Sequence, residues 1–213
     1  PFRGEKGTTW EGGVRVPCLI KWPGQIPAGS ASNGLQNHED LFVTLAAAAG
    51  ATDVKEKLLD GHTMNGIKYK VHLDGYNQLD MWTGKTEDSA RRAHFYYDET
   101  DLMAIRVRNW KMHIGIKKDN SWFNEKSYPS IPYIFNLRMD PMEKMDPESE
   151  EWGYIGRKFF ASKLWAPNAG APFIGEHLQS LKAYPPRQAA DTLSMHKALE
   201  VAMEKLANPN ASQ

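Results

Sequence analysis

The chain has 213 residues, a length that predicts one or two domains. Hydrophobic residues make up 41% and charged residues 24%, which excludes disordered and fibrous architectures. The 26 basic and 26 acidic residues cancel, and this balance argues against a dedicated nucleic-acid binder, whose affinity comes from basic residues on phosphates. We therefore expect a globular protein with no nucleic-acid partner.

The single cysteine, Cys18, excludes an intrachain disulfide framework and a cysteine-rich zinc module. We expect it to be a buried structural thiol. The longest apolar stretch, residues 41–51, is mostly alanine and is far shorter than the ~20 residues that span a bilayer, so we expect no membrane partner. The chain opens on Pro1 with no visible signal peptide, and we expect it to be a piece of a longer polypeptide.

The first predicted element is a strand at residues 14–22. This run is apolar and β-branched, and it ends at the turn signal Pro23-Gly24, which is typical of a buried strand. Pro17 requires that the strand lie at an edge or contain a bulge.

A helix is predicted next, from Asn37 to Gly50. Asn37 can accept backbone N–H bonds as the N-cap, and two carboxylates follow near the positive end of the helix dipole. Gly50 can supply the left-handed terminator. The four-residue spacing of Leu41 and Leu45 predicts that this helix packs on a sheet.

Residues 60–88 contain several glycine turn signals and are expected to be irregular. Beyond them, apolar and polar residues alternate with a period of two at residues 103–107 and 110–116, and residues 93–97 and 133–137 are companion strands. The alternation predicts an antiparallel sheet with one covered face. A helix near residues 199–206 is the candidate to cover it.

Several familiar site motifs fail. Thr83-Gly84-Lys85-Thr86 ends like a phosphate-binding loop, but Leu79 stands where the first glycine is required. The histidines lack metal-binding spacing, and the acidic run at residues 140–147 lacks the rhythm of a calcium loop. We therefore predict no metal ligands in this chain.

One loop keeps a chemical interpretation. Residues 4–13 place Lys6 between glycines that allow left-handed backbone and a close approach of an anion. The lysine ammonium is suited to the oxygen atoms of a sulfate or phosphate ester. Arg3 and Glu5 flank Lys6; one interpretation is that they support the lysine from behind, but we expect both to be exposed to solvent.

Residues 2–17 resemble the lysine motif of the arylsulfatases, a family in the alkaline-phosphatase superfamily. Other segments resemble the same family in the same order: residues 19–24, 40–45, 74–75, 83–85, 95–98, 109–111, 135–143 and 184–188. The resemblance covers essentially the whole chain. It implies an α/β fold followed by an α+β part: residues 1–88 as the C-terminal end of the sulfatase catalytic α/β domain, and residues 89–213 as a small subdomain with an antiparallel sheet packed on a helix.

The resemblance also implies a site. In that family a formylglycine attacks a sulfate ester while calcium and basic side chains bind its oxygens, and Lys6 corresponds to a lysine that contacts the sulfate group. Lys6 is therefore the predicted catalytic and substrate-binding residue. The formylglycine signature is absent, since Cys18 is followed by Leu19-Ile20-Lys21-Trp22. We expect calcium and formylglycine in a full-length sulfatase only, and we expect this chain alone to be inactive.

Two alternatives stay open. The first is a phosphodiesterase or phosphonate hydrolase of the same superfamily, since fold likeness does not decide the chemistry. The second is a non-catalytic anion-binding or interaction module that uses a sheet face with Arg106 and Arg108. A strand edge and apolar surface exposed by a missing neighbour predict self-association. The sulfate ester acted upon is not determined, and periplasmic or secreted localisation follows only from the family resemblance.

Overall fold

The computed structural model describes residues 2–163 and 165–185, together with Met203. The helices are α1 (Glu11–Val14), α2 (Glu39–Ala48), α3 (Val54–Asp60), α4 (Leu79–Trp82), α5 (Gly153–Ser162) and α6 (Ala166–Ala183). The strands are β1 (His62–Met64), β2 (Ile67–Tyr69), β3 (Ala93–Asp98), β4 (Asp101–Val107), β5 (Trp110–His113), β6 (Ile116–Lys117), β7 (Lys126–Ser127) and β8 (Tyr133–Asn136). No helix in this part of the chain is long and apolar enough to cross a membrane.

The centre of the fold is a four-stranded antiparallel sheet with strand order β3-β4-β5-β8. The structure confirms the strands that the alternating sequences predict, although the strand expected at residues 110–116 divides at the bend 114–115 into β5 and β6. Arg108 turns the chain between β4 and β5 with φ of 53°. The register sets Lys111 opposite both Arg106 and Phe135.

The prediction that only one face of this sheet is covered is wrong. Lys111 and His113, which the alternation assigned to the polar outer face, are both fully buried. Residues 2–14 lie over them, with the Trp10 ring 4.3 Å from the His113 ring and 5.9 Å from the Phe135 ring. Alternation identifies two faces of a strand, but whether the polar one meets water depends on a segment about a hundred residues away.

The opposite face is covered by α5 and α6. Trp110 packs against Phe159 at 6.0 Å and Trp165 at 5.2 Å, measured between ring centroids. Phe95 stacks on His177 at 3.9 Å. Helices do cover the apolar face as expected, but they are α5 and α6; the helix predicted near residues 199–206 lies outside the described residues apart from Met203.

The strand predicted at residues 14–22 is also wrong. Residues 11–14 form a single helical turn, and residues 15–22 have no regular structure. Leu19 is 97% exposed, and Cys18 is exposed rather than the buried thiol that we expected. A strand needs backbone partners on a neighbouring strand, and none of the sheets in the described part runs beside this segment.

The helix predicted after Asn37 is confirmed as α2, and Gly50 follows it with φ of 95°. Its buried face differs from the prediction, because Val43 and Thr44 are buried whereas Leu45 is 57% exposed. Asn37 does not cap the helix with its side chain; instead its backbone N–H donates to the Asp40 carboxylate at 3.1 Å.

Asp40 links α2 to the start of the sheet. It is fully buried, and its carboxylate accepts from Arg91 Nε at 3.0 Å and from Arg91 Nη2 at 2.7 Å. The Tyr76 N–H and the Gln78 side-chain amide also donate to it, at 2.7 and 3.3 Å. A buried charge needs such partners, so Asp40 serves tertiary structure more than the helix dipole.

The region expected to be irregular holds a short hairpin of β1 and β2 as well as α4. Asn65 and Gly66 form its turn with φ of 52° and 78°. An Asn-Gly pair with two positive φ angles is the favoured two-residue hairpin turn. The turn signal was present in the sequence, but the flanking strands are only three residues long and exposed, too short to show alternation.

Candidate functional site

The candidate site is the loop that carries Lys6. Gly4 and Gly7 bracket it with φ of 81° and 83°, a conformation that suits glycine. Lys6 is exposed, and its Nζ lies 5.6 Å from the centroid of the Trp122 ring. None of the ion pairs among residues 2–163 and 165–185 involves Lys6. Its ammonium group is therefore open to an anion from outside.

Glu5 fastens this loop to the turn after β6. Its Oε1 accepts hydrogen bonds from the Trp122 N–H and from the Ser121 hydroxyl, both at 2.8 Å. Both hydrogen bonds lower the pKa of the Glu5 carboxyl, and the bond from Trp122 has the larger effect. Glu5 also donates its backbone N–H to the Asn120 carbonyl at 3.3 Å. Glu5 is exposed as expected, but its hydrogen bonds anchor the loop.

Arg3 fastens the other side of the loop and is mostly buried, contrary to expectation. Its guanidinium lies 3.7 Å from the centroid of the Trp10 ring and pairs with the Asp146 carboxylate. It donates from Nε to Asn120 Oδ1 at 2.6 Å and from Nη1 to the Glu143 carbonyl at 2.9 Å. Because these groups occupy the guanidinium, Arg3 positions the loop and Lys6 remains the accessible cation.

Close packing explains why glycine is needed at position 7. A Cβ there would overlap the indole of Trp122. The positive φ of Gly7 adds a second reason against any other residue. Glycine next to Lys6 therefore brings the loop backbone against an aromatic side chain from the far part of the sequence.

Behind the loop lies a buried ionic cluster, which we define as Glu11, Lys111, His113 and Glu143. Lys111 Nζ lies 3.0 Å from Glu11 Oε1 and 3.2 Å from Glu143 Oε1. His113 Nε2 lies 2.7 Å from Glu143 Oε1, and Glu143 Oε2 accepts the Glu11 N–H at 2.6 Å. All four side chains are at least 98% buried. The cluster holds α1, and with it the end of the Lys6 loop, against β5.

The charges of this cluster are matched. Burial lowers the pKa of His113 to about 4, so the imidazole is neutral at pH 7. Its Nε2 must then carry the proton, because the Glu143 carboxylate can only accept. Burial alone raises the pKa of Glu143, but the His113 hydrogen bond and the Lys111 charge outweigh it and the net shift is downward. Arg106 Nη1, 3.6 Å from Glu11 Oε2, adds a second positive charge.

A cavity of about 310 Å³ opens beside Arg3, between Lys144, Asp146 and Trp152. Lys6 does not line it and lies on the open surface. The described residues therefore present the lysine from one side and do not enclose it in a pocket.

The residues present do not fit calcium or formylglycine. Among residues 2–163, 165–185 and 203, no group of three or more His, Cys, Asp or Glu side chains could hold a metal ion. Cys18 is exposed and lacks the sequence context of formylglycine. Lys6 is the one predicted site residue, and the structure places no nucleophile or metal ligand set around it within the described part.

Sequence reasoning missed the residues that hold Lys6 in place. Trp122 lies in a turn without periodicity, and nothing in the local pattern connects it with position 6. The alternation places Lys111 on the polar face of its strand, and Glu143 lies in the acidic run at residues 140–147, which matches no site motif. The clue available for Lys111 was a charged residue inside a strand between two apolar ones, which does not reveal its burial.

Comparisons with known proteins indicate the family of this chain. A family model for the C-terminal region of aryl-sulfatase matches residues 89–155, and a sulfatase family model matches residues 1–51, which include Lys6. N-acetylgalactosamine-6-sulfatase of Canis lupus familiaris is 30% identical over 164 residues, which cover 68% of this chain and 28% of that protein. Steryl-sulfatase of Mus musculus is 32% identical over 170 residues, which cover 70% of this chain and 25% of that protein.

Among solved structures, the PsFucS1 sulfatase from Pseudoalteromonas sp. superposes with a TM-score of 0.67 at 28% identity, covering 89% of this chain and 34% of that one. With the antiparallel sheet and its covering helices, this match confirms the predicted fold class. The chain spans about a quarter of the length of the curated relatives named above. From the two family matches and the shared fold, the chain belongs to the sulfatase family and carries that family's C-terminal region.

Proposed function

We propose that this chain forms the C-terminal part of a sulfuric ester hydrolase in which Lys6 binds the sulfate group of the substrate. The observation that carries the proposal is an exposed lysine, unpaired within the described part of the chain, on a loop that Arg3 and Glu5 fix at both sides. The names of the relatives support sulfate esters as the substrate class.

The role of Lys6 would be electrostatic. As the S–O bond of the ester breaks, negative charge grows on the sulfuryl and leaving-group oxygens, and a fixed ammonium group stabilises it. Preorganisation matters because a donor that is already in place needs no reorientation during the reaction. The anchored backbone around Lys6 supplies part of that order, although the lysine stem itself remains free to rotate.

The nucleophile and the metal would come from polypeptide other than the described residues. In the family, calcium and formylglycine supply charge stabilisation and the attacking group. Because the residues that the structure describes do not fit either group, we derive no step through them. It follows that the 213-residue chain by itself should not turn over sulfate esters.

The test replaces Lys6 with alanine in the full-length protein. We expect kcat/KM for an aryl sulfate to fall by roughly 10²–10³-fold, the effect of removing one preorganised donor. The free energy of unfolding should change by less than about 0.5 kcal/mol, since Lys6 is exposed. The 213-residue chain in the same assay should be inactive.

A matched control is Lys158→Ala. Lys158 is also exposed, and its Nζ lies 4.7 Å from the centroid of the Tyr154 ring, so it repeats the cation–aromatic setting at another place. This variant should keep wild-type activity. Activity of Lys6→Ala within threefold of wild type would refute the proposal, and faster turnover of a phosphate diester than of a sulfate ester would favour the phosphoesterase alternative.

A further inference from the structure

The turn after β6, residues 118–124, contacts the loop that carries Lys6 through several hydrogen bonds. Arg3 Nε donates to the Asn120 side chain at 2.6 Å, and Glu5 donates its backbone N–H to the Asn120 carbonyl at 3.3 Å. The Glu5 carboxylate accepts two further hydrogen bonds from the same turn, both at 2.8 Å. These contacts fix the backbone before Lys6, but none of them reaches its ammonium group.

The ammonium group of Lys6 meets the indole of Trp122. Its nitrogen lies over the ring, 5.6 Å from the centroid, which is within the ~6 Å over which an aromatic ring attracts a cation. Within residues 2–163 and 165–185, no hydrogen bond or ion pair holds the Lys6 side chain. The stem can rotate, and in this part of the chain the indole is what favours one direction for its charged end.

The indole is itself held from several sides. The Trp122 backbone N–H donates to Glu5 at 2.8 Å, and the Trp122 carbonyl accepts from Lys117 Nζ, also at 2.8 Å. Lys117 pairs with Asp98 at 3.3 Å, and both of these side chains are mostly buried. The ring packs so closely on Gly7 that no Cβ would fit there. The position of the indole is therefore defined before any ligand arrives.

We propose, resting on the function proposed above, that Trp122 is a positioning residue for Lys6 and that Lys117 holds Trp122 in the place that this role requires. A ring attracts the ammonium without taking a strong hydrogen bond from it, so the three N–H donors of the lysine stay available to the oxygens of an anion. A charge that already points in the required direction needs less reorganisation when the anion binds and reacts. Trp122 thus acts on the lysine and not on the substrate.

The experiment is a double-mutant cycle in the full-length protein, with kcat/KM for an aryl sulfate as the readout. Trp122→Leu removes the ring but keeps an apolar side chain against Gly7. It should lower kcat/KM by roughly two- to fivefold, which corresponds to the strength of an exposed cation–π contact. The same substitution should cause no further loss in the Lys6→Ala background, because the group that it positions is gone.

A purely structural role of Trp122 predicts a different result. It would lower kcat/KM by the same factor in both backgrounds, and that outcome would overturn the inference. Trp122→Phe keeps a ring and should stay within twofold of wild type. Tyr154→Leu is the matched control, because Tyr154 lies 4.7 Å from Lys158 in a similar contact elsewhere, and it should leave kcat/KM unchanged.

Lys117→Met tests the residue that holds Trp122. The substitution removes the hydrogen bond to the Trp122 carbonyl but keeps a long apolar stem. We expect kcat/KM to fall by about twofold, less than in Trp122→Leu, and this loss should also vanish in the Lys6→Ala background. A loss that persists undiminished without Lys6 would exclude Lys117 from the positioning role.

A spectroscopic measurement separates this inference from the proposed function. Reductive methylation with ¹³C-formaldehyde keeps the charge of lysine, and the NMR signal of residue 6 can be assigned by its absence in Lys6→Ala. The indole shifts the signal of methyl protons above its face upfield, so Trp122→Leu should move it downfield and Tyr154→Leu should not. That movement in a protein whose activity does not need Lys6 would refute the proposed function and keep the placement by Trp122. An unmoved signal in an enzyme that does need Lys6 would refute the placement and keep the function.

Discussion

The two faces of the central sheet are both buried, but by different means. On one face β5 presents Lys111 and His113, which meet charged partners from residues 2–14 and from the loop after β8. On the other face the same strand presents Trp110 and Met112 toward α5 and α6. One strand of four residues thus supplies an ionic interface and an apolar one.

The two faces differ in how strictly they define the position of the segment that packs on them. Aromatic and aliphatic side chains pack in many arrangements of nearly equal free energy, whereas buried charges are tolerated only where each meets its partner. The ionic face therefore defines one position for the segment that carries Lys6, and the apolar face contributes buried area. The net contribution of a buried ion pair to stability is often small. We therefore assign the ionic face a role in positioning the Lys6 segment rather than in adding stability.

The strongest way to break the ionic face is Lys111→Met. The substitution leaves Glu11 and Glu143 buried without their lysine, and we expect the free energy of unfolding to fall by about 3–5 kcal/mol. Urea denaturation followed by tryptophan fluorescence measures it. Adding Glu11→Gln and Glu143→Gln to the same chain should restore part of the loss, and a fall below about 1 kcal/mol for the single variant would contradict the role assigned to the cluster.

Trp110→Ala tests the apolar face. We expect a loss of about 2–3 kcal/mol, below the 3–5 kcal/mol typical of fully buried Trp or Phe, because Trp110 is only partly buried. Trp110→Phe should recover much of it. The same denaturation experiment applies, and a larger loss here than for Lys111→Met would show that the apolar face is the more sensitive one.

The smallest effect is the pH dependence of the ionic face. The pKa of His113 is about 4 in the folded chain against an ordinary value of 6.5. Between pH 7 and pH 5 the unfolded chain therefore takes up a proton at His113 that the folded chain does not. As the pH is lowered over this range, the free energy of unfolding should fall by about 2 kcal/mol because of this residue. In His113→Gln the free energy of unfolding should therefore depend less steeply on pH between pH 7 and pH 5, which urea denaturation at each pH would measure.

His177, on the apolar face, provides the comparison for that measurement. Burial lowers its pKa as well, but it is only half-buried, so His177→Gln should flatten the slope less. Burial also lowers the pKa of His94 to about 4. Because His94 is unchanged in both variants, part of the pH dependence of stability should remain in each of them. A slope in His113→Gln equal to that of wild type would contradict the neutral, buried imidazole.

Much of the local structure could be predicted from the sequence. The period-two alternation identified the strands of the central sheet, and Asn37 and Gly50 bracketed α2. For the site, the glycines around Lys6 together with the family resemblance indicated the loop. These features depend on neighbours within a few residues, which is the range over which periodicity and turn chemistry operate.

Tertiary structure alone decided which predicted surfaces are buried. Lys111 became buried because Glu11 and Glu143 meet it from distances of 100 and 32 residues along the chain. Residues 15–22 stayed irregular, despite a strand-like pattern, because no strand runs beside them in the described part. Trp122 reaches Lys6 from 116 positions away. Local sequence sets the conformations that a segment prefers, but burial, ion pairing and site geometry depend on which distant segment arrives to cover it.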